Sequence, residues 1–413
     1  MSNHPPLPRL AEGALTEALS DTPVVLVHGP RQCGKTTLAK QVGDRLGFAY
    51  LNLDDDAARR AAQDDPAGFV ARLPERVIID EVQRAPEIFL PLKMEVDHRR
   101  KPGRFLLTGS TNVLLLPKMA DSLAGRMGSI RLHPLAQCEL ERREPTLLRT
   151  LLRGDFKMRT SRRLGEELAT RVAGGGFPAA LARKAPARRK QWYADYVDSL
   201  VQRDVRDLAR IGSLNSIPKL LKLAASQTAR LINVSELAAP FQITRPTIRD
   251  YVTLLERIFI LEELPPWHSN RLKRLVKTPK LHVTDSGLAC ALLGLSPAAL
   301  WADREALGQL LETFVLGELR RQSSAFDDGI EFSHFRDKDL AEVDIVLEHS
   351  GSRISGVEVK ASSTVHPTDF RGMHRLREAS GKRFVCGIVL YDGEVTVGFG
   401  EGMFAVPIAE LWR

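Results

Sequence analysis

Long apolar runs are missing from this 413-residue sequence: no stretch of 18 or more apolar residues occurs, so no membrane-spanning helix and no membrane partner are expected. The segment Met1 to Leu10 contains two adjacent prolines and lacks the basic-then-apolar layout of a secretory leader, and the expected location is the cytoplasm. Cysteine is scarce and scattered. Its four copies, Cys33, Cys138, Cys290 and Cys386, form no C-x-x-C pair, which argues against a disulfide framework and a cysteine-type zinc site and predicts reduced thiols. Internal repeats and low-complexity segments are absent as well. What is present, 43% hydrophobic and 27% charged residues, is a globular composition, and the length suggests two or three domains.

Positive charge is abundant but unevenly placed. Residues 151–280 hold 25 Lys and Arg against 12 Asp and Glu, a net of +13 in a chain whose total is +8, so the rest carries −5. A local excess of this kind is the footprint of a polyanion-binding surface, nucleic acid first, or else of a solvated basic face.

Four short apolar runs, Val24–Val27, Phe48–Leu51, Val77–Ile79 and Phe105–Leu107, alternate with helical segments over the first 140 residues, as in a parallel α/β sheet. From Leu148 to about Phe259 the pattern is helical. The last third reads helix, strands at Glu331–Phe335, Val343–Leu347 and Gly356–Lys360, helix Phe370–Ala379, then strands at Phe384–Tyr391 and Val395–Phe399. The boundaries expected are 1–147 for a nucleotide domain, 148–217 for a helical segment, 218–300 for a DNA-binding module and 301–413 for a C-terminal α/β domain.

The first apolar run leads into Gly29-Pro30-Arg31-Gln32-Cys33-Gly34-Lys35-Thr36-Thr37, a full G-x-x-x-x-G-K-T between a strand and a helix. Glycines at 29 and 34 let backbone N–H groups close on phosphates, Lys35 reaches the β/γ-phosphates, and the Thr36 hydroxyl is placed for Mg²⁺. The nine residues 29–37 are therefore expected to hold ATP. The third run ends in Asp80-Glu81, a carboxylate pair at the C-terminal edge of the sheet. Asp80 is expected to hold Mg²⁺ through water, and Glu81 to orient the attacking water; a helix cap with a first-turn acid is the alternative. The fourth run ends in Thr108-Gly109-Ser110-Thr111-Asn112, where Ser110, with Asn112 second, is the candidate γ-phosphate sensor or else a helix cap. Arg126, after a small-residue turn, reads either as a cation offered in trans to a neighbouring subunit or as a surface arginine paired with a carboxylate.

The strings Gly-Pro-Arg-Gln-x-Gly-Lys-Thr, Ile-Asp-Glu-Val-Gln, Thr-Gly-Ser and Ser-Leu-Ala-Gly-Arg resemble the prokaryotic AAA+ ATPases that carry a C-terminal domain of unknown function. The resemblance extends through Gly175-Gly176-Phe177-Pro178, Asp204-Val205, Pro279-Lys280 and Asp285-Ser286-Gly287-Leu288, nearly the whole chain. Cys33 departs from it, standing where relatives usually have valine. The resemblance implies an ATP- and Mg²⁺-dependent P-loop ATPase that works as a homo-oligomeric ring, without naming a pathway.

In the basic middle, Ser235 to Tyr251 reads as helix, turn, second helix, with Thr244 as cap and Pro246 in the first turn. Ile248, Tyr251, Val252, Leu255 and Phe259 form its buried stripe, leaving Arg245, Thr247 and Arg249 near the exposed end. With Arg271, Lys273 and Arg274 on a following tip, this suggests a winged helix that binds DNA, or one used for subunit packing.

Near the C-terminus, Glu342-Val343-Asp344 precedes Val357-Glu358-Val359-Lys360. Residues i and i+2 of a strand share a face, so Glu358 and Lys360 point the same way, and Asp344 on the adjoining strand is a candidate to share a second divalent ion, Mg²⁺ or Mn²⁺, with Glu358. Glu312 and Glu318 on the preceding helix are candidate further acids. The arrangement resembles the PD-(D/E)XK nuclease, or restriction-endonuclease-like, fold, which implies either metal-dependent cutting or binding of branched or single-stranded DNA without cleavage. Three functions are weighed: an oligomeric DNA-stimulated ATPase that remodels or processes DNA, an ATP-gated protein-binding scaffold with an inactive nuclease-like domain, and a small-molecule kinase. The kinase explains neither the basic middle nor Asp344, Glu358 and Lys360.

Overall fold

Strand β1 (Val24–His28) is buried at all five positions, so both of its faces need cover. That is the pattern of a parallel sheet with helices on either side. The computed structural model describes residues 7–413 apart from 111–122, 124, 206–215, 242, 275–276 and 327–328. The chain divides into two compact units, residues 1–135 with 257–259, and residues 136–256 with 260–413.

In the first unit, β2 (Ala49–Asn52), β3 (Val77–Asp80), β4 (Phe105–Gly109) and β5 (Met127–Arg131) join β1 in the order β2-β3-β4-β1-β5, every neighbour parallel. Val25, Val27, Ile78 and Leu106 meet helices Ala11–Asp21 and Lys35–Leu46 on one face. Val24, Leu26, Val77, Ile79, Phe105 and Leu107 meet helices Asp56–Asp64, Pro66–Ala71 and Phe89–His98 on the other. The alternation follows from the two-residue period of a strand. Each fully buried aliphatic side chain contributes about 1.5–3 kcal/mol of transfer free energy. Four strands coincide with the four apolar runs, whereas β5 matches none of them. It lies at the sheet edge, is partly exposed, and reads Met-Gly-Ser-Ile-Arg, a weak strand former.

The second unit begins its strands with β6 (Arg159–Thr160), only two residues long. Its middle runs helix Ser216–Ser226, β7 (Arg230–Leu231), helix Val234–Ala238, helix Arg245–Arg257, β8 (Leu261–Leu264) and β9 (Lys280–Val283), with the antiparallel order β7-β9-β8. Helix Arg304–Ser323 then leads to β10 (Glu331–Arg336), β11 (Glu342–His349) and β12 (Arg353–Lys360), an antiparallel set. Next come helix Arg371–Ser380, β13 (Phe384–Tyr391), β14 (Val395–Gly398) and β15 (Met403–Pro407), a strand the sequence pattern does not signal. The seven-stranded order is β10-β11-β12-β13-β15-β14-β6, with β12-β13 and β13-β15 parallel. Val343, Val346, Ile354 and Val389 meet Met373 and Leu376 of helix Arg371–Ser380 in the core.

Asp285, fully buried, explains two of the sequence strings. Its carboxylate accepts from Gly176 N (2.7 Å), Leu288 N (3.0 Å) and the Tyr193 hydroxyl (3.0 Å), tying the Gly-Gly-Phe-Pro turn to the start of helix Ser286–Leu293. Unpaired, a carboxylate at that depth would be strongly destabilising. Among the described residues no helix is long and apolar enough to cross a membrane.

Candidate functional site

The loop after β1 turns at Gly29, where an added Cβ would stand 2.1 Å from the carbonyl oxygen of Leu132, so no larger residue fits. Gly34, at φ +104°, caps helix Lys35–Leu46 and turns the loop into it. A helix start leaves its first N–H groups without intrahelical partners, and the loop runs directly into this one at Gly34. The Lys35 ammonium is buried and donates to Gly29 O (3.1 Å) and Pro30 O (2.8 Å). Cys33 is buried in the core, its Sγ 3.4 Å from Leu132 O, which places its side chain off the loop. Arg31 and Thr36 are partly exposed, and Gln32 and Thr37 exposed. Arg9, not anticipated from the sequence, braces the loop by donating to Cys33 O (2.9 Å) and His133 O (2.6 Å). Burial, then Arg131 and Lys35, lower the pKa of His28 to about 4.

Asp80, the last residue of β3 and 4% exposed, is surrounded by hydroxyls. Thr36 Oγ1 lies 3.0 Å from both carboxylate oxygens, the Tyr50 hydroxyl donates to Oδ2 at 2.7 Å, and Thr108 donates to Oδ1. Burial, then the bond to Asp80, push the Tyr50 phenol well above its usual range, so it stays a donor. Glu81 adopts a left-handed backbone (φ +56°), with its N–H on Thr108 Oγ1 at 3.1 Å. The Gln83 amide donates to Glu81 Oε2 (2.5 Å) and Ser110 Oγ (3.0 Å). Four anticipated residues, Thr36, Asp80, Glu81 and Ser110, thus share one network. Tyr50, Gln83 and Thr108 belong to it too. Two of these stood inside strings already singled out, Ile-Asp-Glu-Val-Gln and Thr-Gly-Ser, whereas nothing local marked Tyr50. A carboxylate ringed by hydroxyls is an all-oxygen donor set, which suits a hard divalent ion such as Mg²⁺. Arg126 pairs with Asp97 of its own chain through Nε (2.5 Å) and Nη2 (3.0 Å). Asn112 lies outside the described residues.

In the second unit a cleft of about 760 Å³ is lined by Lys280, Glu312, Glu342, Asp344, Glu358 and Lys360, among others. The register Ile345↔Val357 sets Asp344 beside Glu358 on adjacent strands. Glu358 is paired with Lys360 at 2.9 Å, and Asp344 Oδ2 accepts from Val359 N at 3.0 Å. Lys280 is also there, its Nζ 2.8 Å from Glu312, 2.8 Å from Glu342 and 3.2 Å from Asp344. Burial opposes the charge on Lys280, but Asp344, Glu312 and Glu342 outweigh it and hold the ammonium well above its usual pKa. Burial, and behind it the charge of Asp344, raise Glu358 to about 8. Glu318 does not join the cleft. It is fully buried elsewhere, bonded to Arg321 (2.7 Å) and to Gln137 N (2.9 Å). The correction is one of helical phase: Glu312 and Glu318 are six residues apart, about one and two-thirds turns, and so face different ways.

Of the residues expected on a DNA-facing surface, Arg245 and Arg249 are exposed and Thr247 partly so, at the start of a helix capped by Thr244 Oγ1 on Thr247 N (3.3 Å). Arg249 pairs with Glu263. Arg274 is drawn inward, its Nη2 2.8 Å from Glu348 and its Nε on His268 O at 2.8 Å, so it is not presented as an open phosphate contact. The side chains of Arg271 and Lys273 lie outside the described residues.

Comparison with known proteins places an AAA domain at residues 21–141 and two domains of unknown function, DUF8612 at 165–299 and DUF4143 at 307–411. Uncharacterized proteins of Mycobacterium tuberculosis and Mycobacterium bovis are each 29% identical to this chain over 407 residues, 98% of its length and 84% of theirs. Among solved structures, the Walker-type ATPase PABY2304 of Pyrococcus abyssi is similar over 68% of this chain and 94% of its own, at 15% identity and a TM-score of 0.43. The Holliday junction branch migration motor RuvB of Thermotoga maritima is similar over 62% and 87%, at 19% identity and a TM-score of 0.29. The first unit has an AAA-type P-loop ATPase fold.

Proposed function

We propose that the chain hydrolyses ATP with Mg²⁺ in its first unit and couples that turnover to DNA held by its second, which grips the nucleic acid without cutting it. The observation that carries the ATPase reading is the single network joining Thr36, Asp80, Glu81 and Ser110 beside a loop built to admit phosphates. Mg²⁺ bound at Thr36 and Asp80 would neutralise charge on the β- and γ-phosphates. Lys35 exchanges its two loop carbonyls for phosphate oxygens. Glu81, with Gln83 fixing its carboxylate, orients the water that attacks the γ-phosphorus, and Ser110 reports through the same glutamine on whether that phosphate is present.

For DNA, the support is the net charge of +13 over residues 151–280 and the helix, strand, helix, helix, strand, strand order of residues 216–283, the order a winged helix uses, with a four-residue helix, Arg271–Arg274, between its last two strands. Arg245 and Arg249 open the second helix of the pair on its exposed side. Gripping rather than cutting is favoured because Glu312, Glu342, Asp344 and Glu358 are each paired with a lysine of the chain.

The test is ATP turnover with no DNA and with duplex, forked and single-stranded DNA over a salt series. Turnover should rise with DNA, and the rise should fade as salt increases. A chain with Lys35 intact that neither retains nor hydrolyses ATP removes the ATPase reading. Turnover without stimulation and without salt-dependent DNA binding removes the DNA half and leaves a protein-binding scaffold.

A further inference from the structure

Lys280 opens β9, and its side chain is only 3% exposed at the floor of the second unit's cleft. Lysine is rarely buried so deeply without a partner. Here three elements converge on it: Glu312 comes from helix Arg304–Ser323, Glu342 and Asp344 from β11, and all three place a carboxylate oxygen within 3.2 Å of Nζ. A divalent ion taken up by the same acids would draw its oxygens from those three side chains, at about 2.0–2.6 Å. The ammonium stands where that ion would have to stand. The fourth acid, Glu358, is engaged by Lys360 at 2.9 Å, so it too faces a cation of the chain. Among the described residues no group of three or more His, Cys, Asp or Glu side chains is arranged to hold a metal ion. The acids that suggested a metal-dependent nuclease are therefore present, but they do not fit the metal.

We infer that Lys280 is the resident cation of this cleft, its ammonium taking the place of a divalent ion, so that the second unit keeps the acids of a nuclease-like site without the metal needed to cut. This rests on the proposed reading in one respect only, that nucleic acid is what the cleft grips; the exclusion of metal stands on the ion-pair geometry alone. Replacing Lys280 with a neutral residue of similar length converts the cleft into a divalent-metal site. Lys280→Arg, which keeps a cation, does not.

The experiment is Mn²⁺ binding to the full chain, following the resonance of the free ion, for wild type, Asp344→Asn, Lys280→Met, Lys280→Arg and the Lys280→Met/Asp344→Asn pair. Wild type, Asp344→Asn and Lys280→Arg should bind equal numbers of Mn²⁺ ions, since any ion at Thr36 and Asp80 is common to all. Lys280→Met should gain one equivalent, and the double variant should lose it again. A wild-type chain that binds one more Mn²⁺ than Asp344→Asn overturns the inference, and that comparison holds even if Lys280→Met does not fold. A folded Lys280→Met that gains no ion overturns it as well. DNA-stimulated ATP turnover on the same preparations separates the two claims: equal Mn²⁺ binding with no DNA response keeps Lys280 in its role and removes the DNA reading.

Discussion

Asp80 and Asp344 both sit near a strand end, and each is joined by further acids or hydroxyls of the chain. Their surroundings differ in one respect. Asp80 is held by the hydroxyls of Thr36, Tyr50 and Thr108, neutral groups that leave its charge to be met from outside. Asp344 is held by the ammonium of Lys280, a charge the chain supplies itself. A buried carboxylate met only by neutral hydroxyls keeps a charge to be neutralised and invites an ion. A carboxylate already paired in a buried cluster has no such demand, and an added dication would have to displace or repel the lysine. One chain thus contains an acid site that is open to metal and another that is closed by its own side chain.

The comparison is broken most directly at the residue that needs the open site. Glu81→Gln keeps the size and most of the hydrogen bonding of the glutamate but removes the negative charge that, in the proposed mechanism, orients the attacking water. ATP turnover should fall by about 10²–10⁴-fold while nucleotide binding persists. Measured by phosphate release and by equilibrium retention of labelled ATP, a fall below tenfold would mean that Glu81 is not the residue on the attacking water.

A second measurement sharpens the contrast through stability. Lys280→Met leaves Glu312, Glu342 and Asp344 facing one another in a buried space, the situation in which removing one partner of an ion pair costs about 3–5 kcal/mol. Asp80→Asn replaces hydroxyl-to-carboxylate bonds with hydroxyl-to-amide bonds and should cost about 1 kcal/mol or less. Denaturant unfolding of the two variants checks this, provided each unit's transition is followed separately. Equal losses would mean that the two acids sit in equivalent surroundings after all.

The two sites were not equally legible in the sequence. The open one is made largely of local strings: a loop that must carry glycines at 29 and 34, a strand that must end in an acid pair, and a polar end to β4 at Ser110. Tyr50 escaped because it reaches Asp80 from the neighbouring strand β2, across 30 residues of chain. In the closed site the strand spacing of Asp344, Glu358 and Lys360 is visible, whereas Lys280 stands out only within the string Pro279-Lys280, with nothing to tie it to those acids. It lies 32 residues from Glu312 and 64 from Asp344. Glu318 looked as good as Glu312 because acidity is local, whereas the face on which an acid emerges is set by helical phase. The same limit applies to strands: β1, β3 and β4 announce themselves by burial on both faces, while the edge strands β2 and β5 are only partly buried and β5 carries no apolar run.

A last effect separates the units by acid. His28 belongs to the first unit, and its folded pKa is depressed to about 4 from an ordinary value of 6.5 by burial, then by Arg131 and Lys35. A depressed pKa means that the native state prefers the neutral ring. The stability this group contributes is present above pH 6.5 and is lost as pH falls through 6.5 toward 4, in total on the order of 3 kcal/mol. His28→Gln, which cannot charge, should remove that part of the acid sensitivity and leave the first unit's unfolding flatter between pH 6.5 and 4. The second unit has its own depressed histidines, His334 at about 4 and His282 well below the usual range, so its acid response should be unchanged by the substitution. Denaturant midpoints for each unit across that pH range decide it: a first unit whose midpoint falls as steeply in His28→Gln as in wild type would place the acid-sensitive group elsewhere.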